Sequence, residues 1–309
     1  MTAEHPRCVV CASPDVGLHR TDVRDFEYSV EPERRPDVFA CRQCGSEFLA
    51  PRPSEEDLPA FYPSHYHAYH DDHSALAKSL VSMRSRQRAT YYRKLCGGVK
   101  SSIFDVGTGD CRHFKALEEF GDFKFAGVEI NKDIFAKARA LGYDVTLGTL
   151  ESMDISDHRG RYDVVSMNHV LEHVVEPRLM LSRALELLRP GGYAIGQLPC
   201  NTSWEARIFG RYWAGYHYPR HLQMFSRTGL KRLLDETGFV DVKVIPAPHL
   251  QSALSLQNTL IGQGWNPPMK FGKCPAYSLM LLAVAPFELL AWCFGATGIV
   301  NFEARRATA

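Results

Sequence analysis

The sequence predicts an α/β fold, a doubly wound parallel sheet behind a small amino-terminal module, and three observations carry that prediction. From residue 101 onward, short apolar runs alternate with helix-like segments across short loops, the pattern of a parallel sheet covered by helices on both faces. A Gly-x-Gly turn follows the first of those runs, and two Cys-x-x-Cys pairs stand before residue 45. The 309 residues are 45% hydrophobic and 23% charged, which excludes wholesale disorder, collagen-like repetition and a multispanning membrane protein. Lys+Arg 36 against Asp+Glu 35 leaves a formal charge of +1, so no global basic field gathers nucleic acid.

The first module is expected over residues 1–52. Nine cysteines are an odd number, and the opening MTAEHPRCVV lacks the basic and apolar regions of a secretory signal, so the expected compartment is the reducing cytoplasm. There, paired cysteines read as metal ligands. Cys8 and Cys11, then Cys41 and Cys44 after 29 intervening residues, offer four thiolates to one tetrahedral Zn²⁺. Strand-like VGLHR, FEYSV and DVFA segments lie between them, suited to a zinc ribbon. Four protein ligands close the coordination sphere, so this zinc is expected to hold the fold and do no chemistry. Cys96, Cys111, Cys200, Cys274 and Cys293 are scattered and read as small core residues.

A Pro-rich break at residues 50–57 ends the module, and a helical connector is expected over 53–100. His65, His67, His70 and His73 crowd residues 61–73, but at mixed spacings among Tyr62, Tyr66 and Tyr69, so the segment reads as aromatic and substrate-facing or interdomain, not as a metal site. Residues 74–96 read as an amphipathic helix with Leu76, Leu80 and Met83 on one side.

The core, residues 101–309, reads in order as strand 102–106, glycine turn 107–111, helix 113–119, strand 125–129, helix 132–141, strands 144–147 and 162–167, helix 177–188 and strand 193–197. Ligands of such sheets sit beyond the carboxyl ends of the strands. Gly107 and Gly109 let the backbone turn sharply and approach a ligand with no Cβ in the way. Glu129, 24 residues beyond Asp105 and ending the second strand, is placed to accept both hydroxyl protons of a ribose. A nucleoside-containing cofactor is the favoured reading. A dinucleotide fits poorly: the third glycine is absent, and Asp110 at the turn would repel pyrophosphate while suiting a cationic ligand.

At Asp105, Gly107 and Gly109, with Cys111 in place of a further glycine, the sequence resembles the Rossmann-like class I S-adenosylmethionine-dependent methyltransferases. His169-Val-Leu-Glu-His173, Leu188-Arg-Pro-Gly-Gly192 and Pro219-Arg-His-Leu-Gln-Met-Phe-Ser226 extend the likeness toward the subgroup related to ubiquinone-biosynthesis methyltransferases, over roughly residues 101–245. The resemblance implies that Asp105, Gly107 and Gly109 line the methionine moiety, that Glu129 binds ribose, that Thr149 and Leu150 flank adenine, and that Asn168 and His169 close the cofactor site.

A sulfonium makes its methyl group electrophilic, so the enzyme mainly holds a nucleophile in line with the S–CH₃ bond and excludes water. A hydroxyl nucleophile needs a base, and neutral imidazole serves. His217 and His221, in the aromatic and basic stretch Arg211–His221, are the first candidates, with His173 a third. Trp213, Tyr216 and Tyr218 are placed to stack on a substrate, and Arg220 either pairs with a substrate anion or lies buried against an internal acid.

Strand 240–245 and a last strand near 298–304 are separated by an apolar helical insertion near 249–295. Its run at 277–294 is too short, and too interrupted by Pro286 and Glu288, to span a bilayer; it reads as a buried or lid helix, or as a peripheral contact with a membrane or apolar partner. The expected activity is methyl transfer to a small molecule (a sugar, lipid-linked or secondary-metabolite acceptor), with O-methylation favoured. C-methylation of a nucleotide-linked sugar is the nearest alternative. An RNA methyltransferase using the ribbon as its nucleic-acid module is opposed by the charge balance and by Glu27, Glu31, Glu33 and Asp37 in the ribbon. A cofactor-binding module without turnover is the non-enzymatic alternative.

Overall fold

The computed structural model describes residues 6–33, 35–54, 56–63, 75–98 and 100–308; His65, His67, His70 and His73 lie outside them. Strands β1 (Val16–Arg20), β2 (Asp37–Cys41) and β3 (Glu47–Ala50) form an antiparallel meander. Helix α1 (Ala75–Cys96) leads into β4 (Ser101–Val106), followed by α2 (Arg112–Glu118), β5 (Phe123–Glu129), α3 (Lys132–Ala140), β6 (Asp144–Leu147), β7 (Tyr162–Asn168), α4 (Pro177–Leu187) and β8 (Leu188–Pro199). Then come α5 (Trp204–Phe209), the short β9 (Gln223–Met224), α6 (Arg227–Thr237), β10 (Val240–Ala247), α7 (Ser252–Gly262), α8 (Tyr277–Cys293) and β11 (Ile299–Arg305). The large sheet runs β10-β11-β8-β7-β4-β5-β6, parallel from β8 to β6, with β11 inserted antiparallel between β8 and β10.

The central strands are buried on both faces: Ile103 and Phe104 of β4 and Val164, Val165 and Met167 of β7 are almost inaccessible, and so are the polar Ser101, Asp105 and Ser166 of the same strands. Helix starts are set by side chains. Asn131 accepts from the amides of Asp133 and Ile134 to begin α3, and Ser226 accepts from Gly229 N to begin α6. The amino-terminal sheet is tied to the core by its fourth strand, since β9 comes from the chain beyond β8 and pairs Glu47 with Met224 and Phe48 with Gln223. The Ser226 hydroxyl also donates to the carbonyl of Cys44, so the cap of α6 and the second cysteine knuckle share one side chain.

Three sequence expectations are adjusted by the structure, and the expected helical insertion near 249–295 is present. FEYSV is a turn, because the Asp25 carboxylate accepts the amides of Glu27, Tyr28 and Val30 and so draws the backbone away from a strand ladder. Helix α1 exists; the side chains of Leu76 and Leu80 lie outside the described residues, Met83 is 52% exposed, and among the described side chains of the helix the buried ones are Ser85, Ala89 and Tyr92, of which Ala89 and Tyr92 pack with Ile103 and Phe123. Cys293 is exposed and Cys96 only partly covered, leaving Cys111, Cys200 and Cys274 as the buried three. The insertion between β10 and β11 is two packed helices, and α8 runs through Pro286. Helix α7 is fastened beneath the segment before β9 by Ser255, whose hydroxyl accepts Ala214 N at 2.9 Å and donates to Glu205 Oε1 at 2.6 Å.

Candidate functional site

The turn after β4 is built as its residue types require. Gly107 and Gly109 have φ of 73° and 56°, and Cys111 holds φ 59° as the residue capping α2, a left-handed conformation that costs a side-chain-bearing residue roughly 1–2 kcal/mol. Cys111 fits because its side chain is buried among Phe114, Ala138 and Val145. The amides of Gly107 and Thr108 bond to Val128 O at 2.9 and 3.0 Å, drawing the turn over the end of β5. Gly127 makes this approach feasible: a Cβ there would lie 2.3 Å from Asp105 O and from Thr108 Cγ2. That glycine escaped sequence reasoning, for nothing in a strand interior announces a neighbouring turn.

Glu129 is buried at the end of β5; one carboxylate oxygen accepts Gly109 N at 2.8 Å and the other Asn131 N at 2.9 Å. Burial raises its pKa, partly offset by those amides. Each oxygen keeps a second lone pair, so a ribose diol can be accepted without breaking the scaffold. A Cβ at Gly109 would meet nothing within 4 Å, so the space beside the turn at that residue is open. These features fit the cofactor expected from the sequence. Asp105 is more constrained than expected, since Ser166 donates to one oxygen and His113 Nε2 lies 3.0 Å from the other. Thr149 and Leu150 follow β6, where Gly148 N bonds to Glu129 O at 2.9 Å; the Thr149 hydroxyl meets Ser152 Oγ at 3.0 Å, and Leu150 is wholly buried in the core.

Asn168 ends β7, and His169 follows with φ 54°. His169 Nδ1 lies 3.3 Å from Glu172 Oε1 and Nε2 lies 3.2 Å from Gln197 Oε1, so the ring bridges the ends of β7 and β8. Beneath it sits a histidine cluster. Glu172 is 1% exposed, its Oε2 has no hydrogen-bond partner among the described residues, and His221 Nε2 is 4.0 Å from its Oε1. The His173 and His221 rings meet edge-on at 4.6 Å between centroids, and His217 lies 5.0 Å beyond His221. Burial opposes ionisation of Glu172, but the bond from His169 and the nearby His173 and His221 outweigh it and hold its pKa down at about 2. Burial, then the neighbouring His173 and His217, pushes His221 well below the usual imidazole range, and burial likewise lowers His173. Glu172, His173 and His221 also offer donor atoms within 4.8 Å of one another.

The three candidate bases are not equivalent. His217 is held at both ends: Arg220 Nε donates to its Nε2 at 2.9 Å, and its Nδ1 faces Glu27 Oε2 at 3.3 Å. It is a structural brace. His221 Nδ1 bonds to Gly215 O at 2.8 Å, which fixes the tautomer that leaves Nε2 as the basic atom. His173 Nδ1 meets Tyr62 OH at 3.0 Å and Arg220 O at 3.1 Å.

The expected substrate-facing aromatics belong to the interior. Trp213, Tyr216 and Tyr218 are 5% exposed or less; Tyr216 OH donates to Glu47 Oε2 at 2.8 Å and Tyr218 OH to Pro36 O at 3.1 Å. Arg220 is wholly buried, paired through Nη1 and Nη2 with Asp25 at 3.0 and 2.9 Å, so of its two sequence readings the internal one holds. The stretch Arg211–His221 therefore joins the amino-terminal sheet to the core.

In the amino-terminal module, Cys8 and Cys44 sulfurs are 3.6 Å apart, as are those of Cys11 and Cys41, and all four lie within 4.8 Å of one another, buried. Tetrahedral Zn–S bonds of about 2.3 Å place sulfurs roughly 3.8 Å apart, so the donor set and its spacing fit zinc.

The profile of the methyltransferase-domain family matches residues 75–244, more than half of the chain. The ubiquinone biosynthesis O-methyltransferase of Shewanella pealeana is 28% identical over 112 residues, which are 34% of this chain and 47% of that protein. The Cronobacter sakazakii protein of the same name is 30% identical over 112 residues, 34% of this chain and 46% of its own. The chain thus spans about half the length of these relatives. A solved structure from Galdieria sulphuraria, proposed to be a sarcosine dimethylglycine methyltransferase, covers 73% of this chain and 86% of its own at TM-score 0.50 and 11% identity, a likeness of fold.

Proposed function

The chain belongs to the methyltransferase-domain family, and from that premise we propose that it transfers the methyl group of S-adenosylmethionine to a hydroxyl of a small acceptor, with His221 taking the proton. The observation that carries the reading is the placement of His221 Nε2 4.0 Å from the buried Glu172 carboxylate, which His169 links to Gln197 of β8. Glu172 belongs to the segment after β7 that the neighbouring β4 turn approaches, since a Cβ on Gly107 would lie 3.1 Å from Val170 Cγ2. O-methylation is supported further by the ubiquinone biosynthesis O-methyltransferases among the relatives.

When bound, the cofactor supplies an electrophilic methyl group on a sulfonium and leaves as a neutral thioether. Glu129 would hold its ribose, the Gly107–Gly109 turn would pass close to its methionine portion, and Thr149 and Leu150 would border the adenine. Asn168 and His169 would close the site at the end of β7. The acceptor hydroxyl would give its proton to His221 Nε2 as its oxygen bonds to the methyl carbon. Glu172 stabilises the imidazolium so formed, and the Gly215 carbonyl keeps the ring turned. His173, which lies against His221, would contact the acceptor. Cys8, Cys11, Cys41 and Cys44 would hold a structural zinc apart from the chemistry.

Three outcomes test this. Glu129→Ala should weaken cofactor binding by roughly 1.5–3 kcal/mol, the range for hydrogen bonds to a charged group, and calorimetry giving parental affinity would remove Glu129 from the site. The pH profile has a determined sign: imidazole must be neutral to act, and His221 titrates well below 6.5, so kcat/KM should stay level through neutrality and fall only below that pH. An acid limb centred at or above 6.5 would point to another base. The acceptor class is read by incubating methyl-labelled cofactor with extract and partitioning the label among aqueous, lipid and macromolecular fractions; label confined to the macromolecular fraction would overturn a small-molecule acceptor.

A further inference from the structure

Helix α8 is apolar on every side, but only one side is covered. Met280, Val284 and Ala291, with Glu288, face inward, whereas Leu279, Leu282, Leu289 and Leu290 are 69%, 73%, 59% and 50% exposed and fall together on the opposite side at helical spacing. Trp292 and Phe294 continue the exposed surface at its carboxyl end, and in the α7–α8 connection Trp265 and Met269 are partly exposed as well. Among the described residues no helix is long and apolar enough to cross a membrane, so a membrane contact through this face is one that lies along the surface.

Charge identifies the occupant. Between residues 249 and 295 the only Lys, Arg, Asp or Glu residues are Lys270, Lys273 and Glu288. Glu288 is turned inward, accepting Ser252 N at 2.9 Å, so both outward charges of the insertion are positive. Exposed leucines, two exposed tryptophans and two exposed lysines make the composition of a surface that rests in the headgroup region of an anionic bilayer. A second copy of the chain fits less well, since the apolar row carries no polar residue to fix a register and the copy would bring lysines of the same sign. We propose that the α7–α8 insertion docks the protein on an anionic lipid surface. Met269 also lines a cavity of about 200 Å³ with Phe26, Tyr28 and Phe271, whose wall includes Glu27, the partner of His217. The lipid contact stands independently of the methyl-transfer reading.

The test is co-sedimentation of the purified full chain with vesicles of phosphatidylcholine, alone or mixed with phosphatidylglycerol. The parent should sediment with the mixed vesicles. Leu282→Glu combined with Leu289→Glu should weaken that binding roughly tenfold or more, with circular dichroism and cofactor affinity unchanged, because two exposed side chains are altered and no internal contact is lost. Lys270→Gln combined with Lys273→Gln should remove the preference for phosphatidylglycerol. The proposal is overturned if the parent stays in solution with both vesicle types, or if the leucine variant sediments as the parent does. It is equally overturned if light scattering shows a dimer that this variant breaks while neither protein binds vesicles.

Discussion

Cys41→Ser is expected to abolish zinc binding and, with it, the folded state of the amino-terminal sheet. The parent should carry one zinc per chain by metal analysis. Structural zinc sites contribute about 10–16 kcal/mol of apparent binding energy, as much as the roughly 5–15 kcal/mol that holds a whole domain. The meander of β1, β2 and β3 has strands of five, five and four residues and cannot replace that contribution from its own ladder. The loss should travel. The carbonyl of Cys44 is bonded by Ser226 at the start of α6, and β3 pairs with β9, which directly follows the histidine segment. Turnover should therefore disappear while the glycine turn after β4, on the far strands, still binds cofactor. A parent without zinc, or a Cys41→Ser protein with a full equivalent, would sink the assignment.

The parallel core was legible because each of its elements carries its own signal. β4 and β7 each carry a short apolar run, Ile103-Phe104 and Val164-Val165, the turn between β4 and α2 has glycines where φ is positive, and an acid ends β5. The cysteine cluster was equally legible, since the four knuckle-spaced cysteines converge in space as their spacing requires. What failed was orientation across long separations. Tyr216 meets Glu47, 169 residues away, and Arg220 meets Asp25 across 195 residues; neither acid differs locally from a surface carboxylate. A cluster of aromatic and basic residues after a strand has the same composition whether it faces a substrate or seals an internal seam. Asp25 was hidden for a further reason: its side chain bonds three nearby amides and turns a strand-like sequence into a loop. Glu172 stood in plain view beside His173, yet the third and fourth rings of its cluster come from the segment before β9, which the chain reaches only after crossing α4, β8 and α5.

The acceptor side therefore comes down to one imidazole. His221→Ala should keep parental affinity for the cofactor and lower kcat by roughly 10²–10⁴, the usual contribution of a positioned base, with KM for the acceptor changing far less. The reason it should exceed the loss at His217 is geometric. His217 has both nitrogens engaged by Glu27 and Arg220, whereas His221 spends one nitrogen on Gly215 O and keeps the other as a lone pair toward the cluster. Glu172→Gln supplies the control that a packing role would not move. Removing the carboxylate charge takes away stabilisation of the imidazolium, so the acid limb of the rate should shift further toward low pH while the neutral imidazole becomes a weaker base. A His221→Ala enzyme that turns over at the parental rate would transfer the role to His173, or mean that the acceptor atom needs no base; unchanged kcat together with raised KM would reduce His221 to a wall of the site.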